Sequence, residues 1–431
     1  MSFKLSFVFF LLCSFWMNNL KYSGSLNCLD FSKDKTQNSL VYFLILFTVF
    51  FPSSIDSDFY RVDISIFGFI LFGILFFLLY FKYYRVSLVA VATLLLLISV
   101  LLFKTIISDY SEYAFGYALS LLPMLMLGSL RVRRVPSLRK PLIAYYSAVI
   151  LVFILAYAGF VFQPISYFIV SNYSGGYVGL SNNYQNSFRP VSIFISHSYA
   201  GFFYFLLIFS SRYLIFYGAN RILNCLIICI CLFSLLQLNS GSSYFFFLYS
   251  LIFLGASFVF CGSTDKLTRF LIFVVLLFFS LFSIYYLSDS FSIYIERIIG
   301  DDRNGLLSRY TDGVLKDNIQ YILENPLVGI GFSYSTHFYY TDSDYIVSLL
   351  RFGLVGAVIY YFYMLWFLFR NFGAALNSFF IVFFISSFLF FMVSMPVFSF
   401  LRTAPVLILL ALLFNAVALS ERQKSTTGTS S

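Results

Sequence analysis

Residues 86–103 read VSLVAVATLLLLISVLLF, eighteen positions without a single charge. As a helix this run rises about 27 Å, close to the roughly 30 Å of hydrocarbon in a bilayer. Its apolar residues are continuous rather than alternating, so it is not a strand of a membrane barrel. Comparable runs recur along all 431 residues, of which 61% are hydrophobic and only 10% charged. A soluble domain needs more charge than that to keep its surface wet. The expected fold is therefore all-α, a polytopic membrane protein with about 12 transmembrane helices.

The expected spans are about 38–55, 63–83, 86–103, 112–130, 142–162, 191–210, 221–238, 243–261, 269–287, 345–369, 374–396 and 402–419. Residues 3–19 are apolar but short, and would make a thirteenth if they cross. The chain divides into N-terminal transmembrane helices (1–163), a first loop (164–190), central helices (191–287), a second loop (288–344), C-terminal helices (345–420) and a polar tail (421–431).

Basic residues set the expected orientation. Arg131, Arg133, Arg134, Arg139 and Lys140 form a loop of five cations with no acid, which the positive-inside rule assigns to the cytoplasm. Alternation then puts Lys82, Arg85, Arg212, Arg221, Arg370 and Arg422 inside, and both long loops outside. The net charge of +9 is explained by this topology, and no nucleic-acid partner is expected. Cys225, Cys229 and Cys231 share one apolar helix and read as small hydrophobes, with neither a disulfide nor a metal site expected.

Long loops in a compact protein are usually functional. The first holds Tyr167, Tyr173, Tyr177 and Tyr184 with one charge, Arg189; the second holds nine acids and four bases. Within the second, Leu307, Tyr310, Val314, Asn318 and Ile322 keep helical spacing, with Leu315, Ile319 and Leu323 widening the stripe. Arg309, Lys316, Gln320 and Glu324 take the other face, so an amphipathic helix at the membrane surface is expected. Asn325-Pro326 should stop it, and Gly329 and Gly331 permit a tight turn back to the bilayer.

No phosphate loop, dinucleotide fingerprint, HExxH or GxSxG is present, and His197 and His337 are the only histidines. Chemistry is expected where polar groups meet the outer surface. Arg189 precedes one span, Asp342 and Asp344 precede another, and Arg351 lies about two turns into the latter. An arginine inside a membrane helix normally faces a partner or a polar cavity. Cations at headgroup depth suit a phosphate or pyrophosphate, a carboxylate at the same level suits a general base, and tyrosines suit a sugar. Arg189 could also be a plain helix anchor, and His337 a plain loop residue. Asp342-Ser343-Asp344 matches the metal-binding DxD of nucleotide-sugar transferases, but the soluble nucleotide-binding domain that motif serves is missing.

ENPLVGIGF (324–332), a spacer, then DSDYIVSLLRFGLVGAVIYY (342–361) resembles the second outer loop of the Wzy-type O-antigen polymerases and the related O-antigen ligases. RPVSIFISHSYAGFFY (189–204) resembles their arginine segment after the first loop. The resemblance implies a metal-independent inverting glycosyltransferase of the membrane C-type fold, with no cofactor, in the bacterial inner membrane and with its site facing the periplasm. It implies transfer of a growing glycan from undecaprenyl pyrophosphate to another lipid-linked repeat, with a chain-length regulator as a partner. On this chain it assigns pyrophosphate binding to Arg189 with Arg309 or Arg351, and the base to Asp342 or His337. Tyr173, Tyr177, Tyr184 and Tyr345 become glycan contacts. Ligases commonly carry His-Asn where this chain has Asp342-Ser343, which favours the polymerase over the ligase. The Ser-Arg often found before the span near 243 is here Ser242-Ser243, so one phosphate contact of the family is absent. A flippase for the lipid-linked repeat is a rival of another class; it should show paired repeats and mid-membrane polar residues.

Overall fold

A computed structural model describes residues 37–51, 54–56, 61–63, 65–107, 112–113, 115–173, 189–194, 196–261, 316–334, 343–392 and 402–427. The elements run α1 (Gln37–Val49), β1 (Ser54–Asp56), β2 (Arg61–Asp63), α2 (Ser65–Lys82), β3 (Tyr84–Val86), α3 (Leu88–Ile107), β4 (Glu112–Tyr113), α4 (Phe115–Gly128), β5 (Leu130–Val132), α5 (Arg139–Val161) and α6 (Gln163–Tyr173). After the first loop come α7 (His197–Phe216), α8 (Arg221–Gln237), α9 (Gly241–Cys261), α10 (Lys316–Glu324), β6 (Ser333–Tyr334), α11 (Asp344–Phe372), α12 (Ser378–Phe391) and α13 (Thr403–Thr427).

The protein is a helical membrane protein. By length and composition, six of the described helices can cross a bilayer: α3, α5, α7, α9, α11 and residues Thr403–Gln423 of α13. Shorter apolar helices lie at Ser39–Val49, Phe67–Tyr80, Arg221–Gln237 and Ser378–Phe391. The expected span at 269–287 falls outside the described residues.

Packing, not exclusion from water, holds helices together in lipid, so close aromatic and small-residue contacts matter most. Among the described candidate spans, α7 is the most buried. Its Gly201 sits so close to the Phe246 ring of α9 that a side chain there would collide. Phe209 of α7 meets Phe253 of α9 at 5.0 Å, Phe384 of α12 at 5.2 Å and Phe414 of α13 at 6.0 Å between ring centroids. Polar bonds pin α5 to the same centre. Tyr145 Oη lies 3.0 Å from Ser211 Oγ, Tyr157 Oη lies 2.6 Å from Ser234 Oγ, and Asn224 donates to Tyr146 Oη at 2.9 Å.

Among the described residues, three short antiparallel ribbons form: β1 with β2, β3 with β5, and β4 with β6. The last joins residues distant in sequence, Glu112 opposite Tyr334 and Tyr113 opposite Ser333. α6 differs from expectation. The expected first loop begins at 164, but Gln163–Tyr173 forms a helix packed back on α5 and β1. The chain reverses at Phe162, in extended backbone, and Ile165 N then bonds the Phe162 carbonyl at 2.9 Å to start the new helix.

The amphipathic helix of the second loop is described over Lys316–Glu324 and stops just before Asn325-Pro326. Asn318, Tyr321 and Ile322 face inward, the last two against Ile330 and Leu350, while Leu323 and Leu327 are exposed.

Candidate functional site

Hydrogen bonds define the two ends of the bundle. Tyr213, near the end of α7, donates to the carbonyls of Ala375 and Phe414, and Arg212 donates to Ser257 Oγ near the end of α9. The start of α7, the start of α9 and the start of α11 therefore share the opposite end. That end contains Arg189.

Arg189 Nη2 donates to the carbonyl of Asn239, in the turn between α8 and α9, at 3.1 Å. Arg189 is delivered there by a rigid corner: Tyr204 donates to the Pro190 carbonyl at 2.6 Å, and Ser192, at φ +54°, donates to the Val152 carbonyl at 2.9 Å. Around it lies a group of hydroxyls. Ser198 and Ser242 bond side chain to side chain at 2.9 Å, joining the first turns of α7 and α9. Ser240 and Ser243 bond each other, and Tyr244 donates to Asn239 Oδ1 at 2.9 Å. Two helix starts, a guanidinium and several hydroxyls make an environment that favours an anion.

Asp344 opens α11 on the same rim and is 1% exposed. Its amide donates to the Met392 carbonyl at 2.9 Å, at the end of α12. Phe391, just before it, meets Phe246 of α9 at 4.1 Å and Phe202 of α7 at 5.4 Å. The last turn of α12 thus links the Asp344 side of the rim to the Arg189 side.

Nine residues beyond Asp344 the chain performs an uncommon manoeuvre. α11 is broken at Gly353, whose φ is +65° and ψ −176°. The stretch Pro326–Gly331 threads against the break. Leu354 N and Val355 N donate to the carbonyls of Pro326 and Leu327 at 2.7 and 3.1 Å, and Ile330 N and Gly331 N donate to those of Leu350 and Arg351 at 2.9 and 3.0 Å. A broken helix at membrane depth needs such replacement partners, because lipid supplies none. Gly329 and Gly331 take φ +66°, as the tight turn requires. A Cβ on Gly329 would lie 2.5 Å from Gly353 N and 2.6 Å from the Leu350 carbonyl, so only glycine lets the two backbones approach. Thr105 of α3 completes the clasp, with Oγ1 accepting from Phe332 N at 2.7 Å and donating to the Leu101 carbonyl at 2.6 Å.

Arg351 is the polar bolt of this clasp. Its Nη1 donates to the carbonyl of Gly331 at 3.2 Å and to that of Ser333. The intramembrane arginine has a partner, as its depth demands, and that partner is the returning loop.

Tyr173 is buried at the end of α6. Its hydroxyl donates to the Phe50 carbonyl at 2.7 Å, and Arg402 lies 5.3 Å over its ring. Burial raises the Tyr173 phenol above its ordinary pKa, and the Arg402 cation pulls the other way. Arg402 itself donates to the carbonyls of Val49 and Phe51, both at 3.1 Å, tying α13 to the end of α1. Tyr345 is partly exposed, donates to the Leu389 carbonyl at 2.6 Å and packs against Tyr361 at 5.4 Å. Tyr177, Tyr184, Arg309, His337 and Asp342 lie outside the described residues. The structure thus brings Arg189 and Asp344 to one rim, and sets Arg351 in the clasp between the second loop and α11.

No protein-family model matches this chain, and no curated protein sequence matches it significantly.

In sequence, Ser242-Ser243 marks only where a phosphate contact of the family is absent; the structure gathers Ser198, Ser240, Ser242 and Ser243 into one hydroxyl cluster. Its signal was available in NSGSSY (239–244), a polar run of small residues between two apolar helices.

Proposed function

We propose that this protein is a membrane glycosyltransferase that polymerises lipid-pyrophosphate-linked repeat units, as the O-antigen polymerases do. The observation that carries this reading is the setting of Arg189. It stands where α7 and α9 begin, among serine hydroxyls, on the rim that also holds the start of α11. That environment suits the pyrophosphate of an undecaprenyl-linked donor, with its polyisoprenyl tail in the bilayer beside the helices.

In this reading the acceptor hydroxyl attacks the anomeric carbon of the donor glycan. The bond from that carbon to the pyrophosphate oxygen breaks, and Arg189 stabilises the charge that develops on the leaving group in place of a metal. Asp342 or His337 takes the proton from the acceptor. Arg351 contributes by holding the second loop, which carries both candidate bases, against α11. The distribution of basic residues supports placing both long loops away from the cytoplasm, and the inner-membrane, periplasmic setting belongs to the resemblance to the O-antigen polymerases.

The test is the lipopolysaccharide banding of a deletion strain. Loss of a polymerase leaves a single capped repeat; loss of a ligase leaves none. A flippase deletion also leaves none, but the lipid-linked repeat then accumulates on the cytoplasmic face. Arg189→Ala restored to that strain should insert normally, as read by immunoblot of membranes, and give no long chains. Normal ladders from Arg189→Ala would overturn the assignment.

A further inference from the structure

The opposite end of the bundle holds an arrangement that this reaction does not use. β3 and β5 pair antiparallel with Arg85 directly opposite Arg131. Both side chains are exposed, while Tyr84 and Leu130 turn to the buried face of the ribbon. Like charges facing each other across a ladder repel. The fold nevertheless enforces the pairing. Asn371 of α11 accepts from Val132 N at 3.0 Å and donates to the Leu130 carbonyl at 3.1 Å, gripping the strand on both sides of Arg131.

That grip adds a third cation. Arg370 precedes Asn371, and the charges of Arg131 and Arg85 both act on it, opposed by the Tyr363 phenol and by no carboxylate. Arg370 Nε and Nη2 are buried and reach no acceptor among the described residues. The positive-inside rule accounts for how many cations lie at this end. It does not account for three of them held together by a strand register and a side-chain clamp.

The lipid-facing side of α11 indicates what they hold. Phe362 and Trp366 are exposed and stack at 6.5 Å between centroids, and Phe362, Trp366 and Arg370 follow one another at four-residue spacing. An aromatic stripe therefore runs along the outside of the helix and ends at Arg370. Trp366, 51% exposed, marks the interface level at which lipid phosphates lie.

We infer that Arg85, Arg131 and Arg370 bind the phosphate of an anionic lipid headgroup, with an acyl chain lying along Phe362 and Trp366. Guanidinium forks match phosphate oxygens in pairs, and an anion at their centre converts three repulsions into three attractions. The site is independent of the transferase reading and touches none of its residues.

The experiment uses the full-length protein in neutral detergent, titrated with phosphatidylglycerol, phosphatidylcholine or inorganic phosphate, and read by native mass spectrometry and thermal unfolding. The probe variant is R85Q/R131Q, two exposed side chains whose backbone pairing does not depend on them. The wild type should bind and be stabilised by phosphatidylglycerol but not by phosphatidylcholine. At about fivefold per arginine, R85Q/R131Q should bind phosphatidylglycerol about 25-fold more weakly. Without lipid it should melt no lower than the wild type, because a repulsion has been removed. R85K/R131K should keep most of the binding. A response to inorganic phosphate as large as that to phosphatidylglycerol upholds the anion site and assigns it to free phosphate. A wild type that responds equally to both lipids and not to phosphate, or R85Q/R131Q binding as tightly as the wild type, overturns the inference.

Discussion

Gly353→Ala tests the clasp between the second loop and α11. Gly353 sits nine residues into α11, about 13 Å along its axis, and its φ of +65° with ψ near 180° is a conformation that a side chain strongly disfavours. An added Cβ would stand 2.5 Å from Gly329 N and closer still to Val328 N and Leu327 C. These are backbone atoms, so no side chain can swing away to make room. Holding the conformation costs about 1–3 kcal/mol. The alternative is to expel the loop, which gives up the four hydrogen bonds from Ile330, Gly331, Leu354 and Val355 at about 1 kcal/mol each. The backbone collision closes the first route, so the clasp opens and stability falls by about 4 kcal/mol, or about 3 once partial relaxation is allowed. The measurement is thermal unfolding in one detergent at one scan rate, paired with limited proteolysis across 325–334. Gly73→Ala is the control, since a Cβ there meets nothing within 4 Å; it should be neutral or stabilising by up to about 1 kcal/mol. A Gly353→Ala protein that melts with the wild type and resists protease equally would refute the reasoning.

Other outcomes follow from the same contacts. Thr105→Val keeps the shape but leaves Phe332 N without its acceptor, and should cost about 1–3 kcal/mol with cleavage rising near 332. Asn371→Leu removes the grip on both Leu130 and Val132 and should lower stability by about 2–4 kcal/mol, seen as a lower melting temperature. Tyr173→Phe separates two roles for that residue. If the hydroxyl serves only the Phe50 carbonyl, stability falls by about 1 kcal/mol and chain-length ladders are unchanged. Arg402→Leu loses the bonds to Val49 and Phe51 and should destabilise by more than Tyr173→Phe in the same melting assay.

Some of this protein was decided by sequence alone. Continuous apolar runs can satisfy their backbone in lipid only as helices, so the helical membrane fold was legible without any tertiary information. The stop at Asn325-Pro326 and the left-handed turns at Gly329 and Gly331 were equally local, because proline and glycine act on their own dihedrals. What tertiary structure decided is where distant polar groups meet. The residues 351–353 read as an unbroken helix until the second loop is seen supplying the hydrogen bonds that a break requires. Tyr173 read as a loop tyrosine; a helix at 163–173 carries it under Arg402 instead. Arg189 was recognisable as a cation at a helix start, but Asn239, Ser240, Ser242 and Ser243 lie fifty or more residues later, and only the packing of α7 against α9 brings them to it. The physical reason is the same in each case. Backbone preference and hydrophobicity are properties of short stretches, whereas the partner of a buried polar group is set by which helices pack side by side.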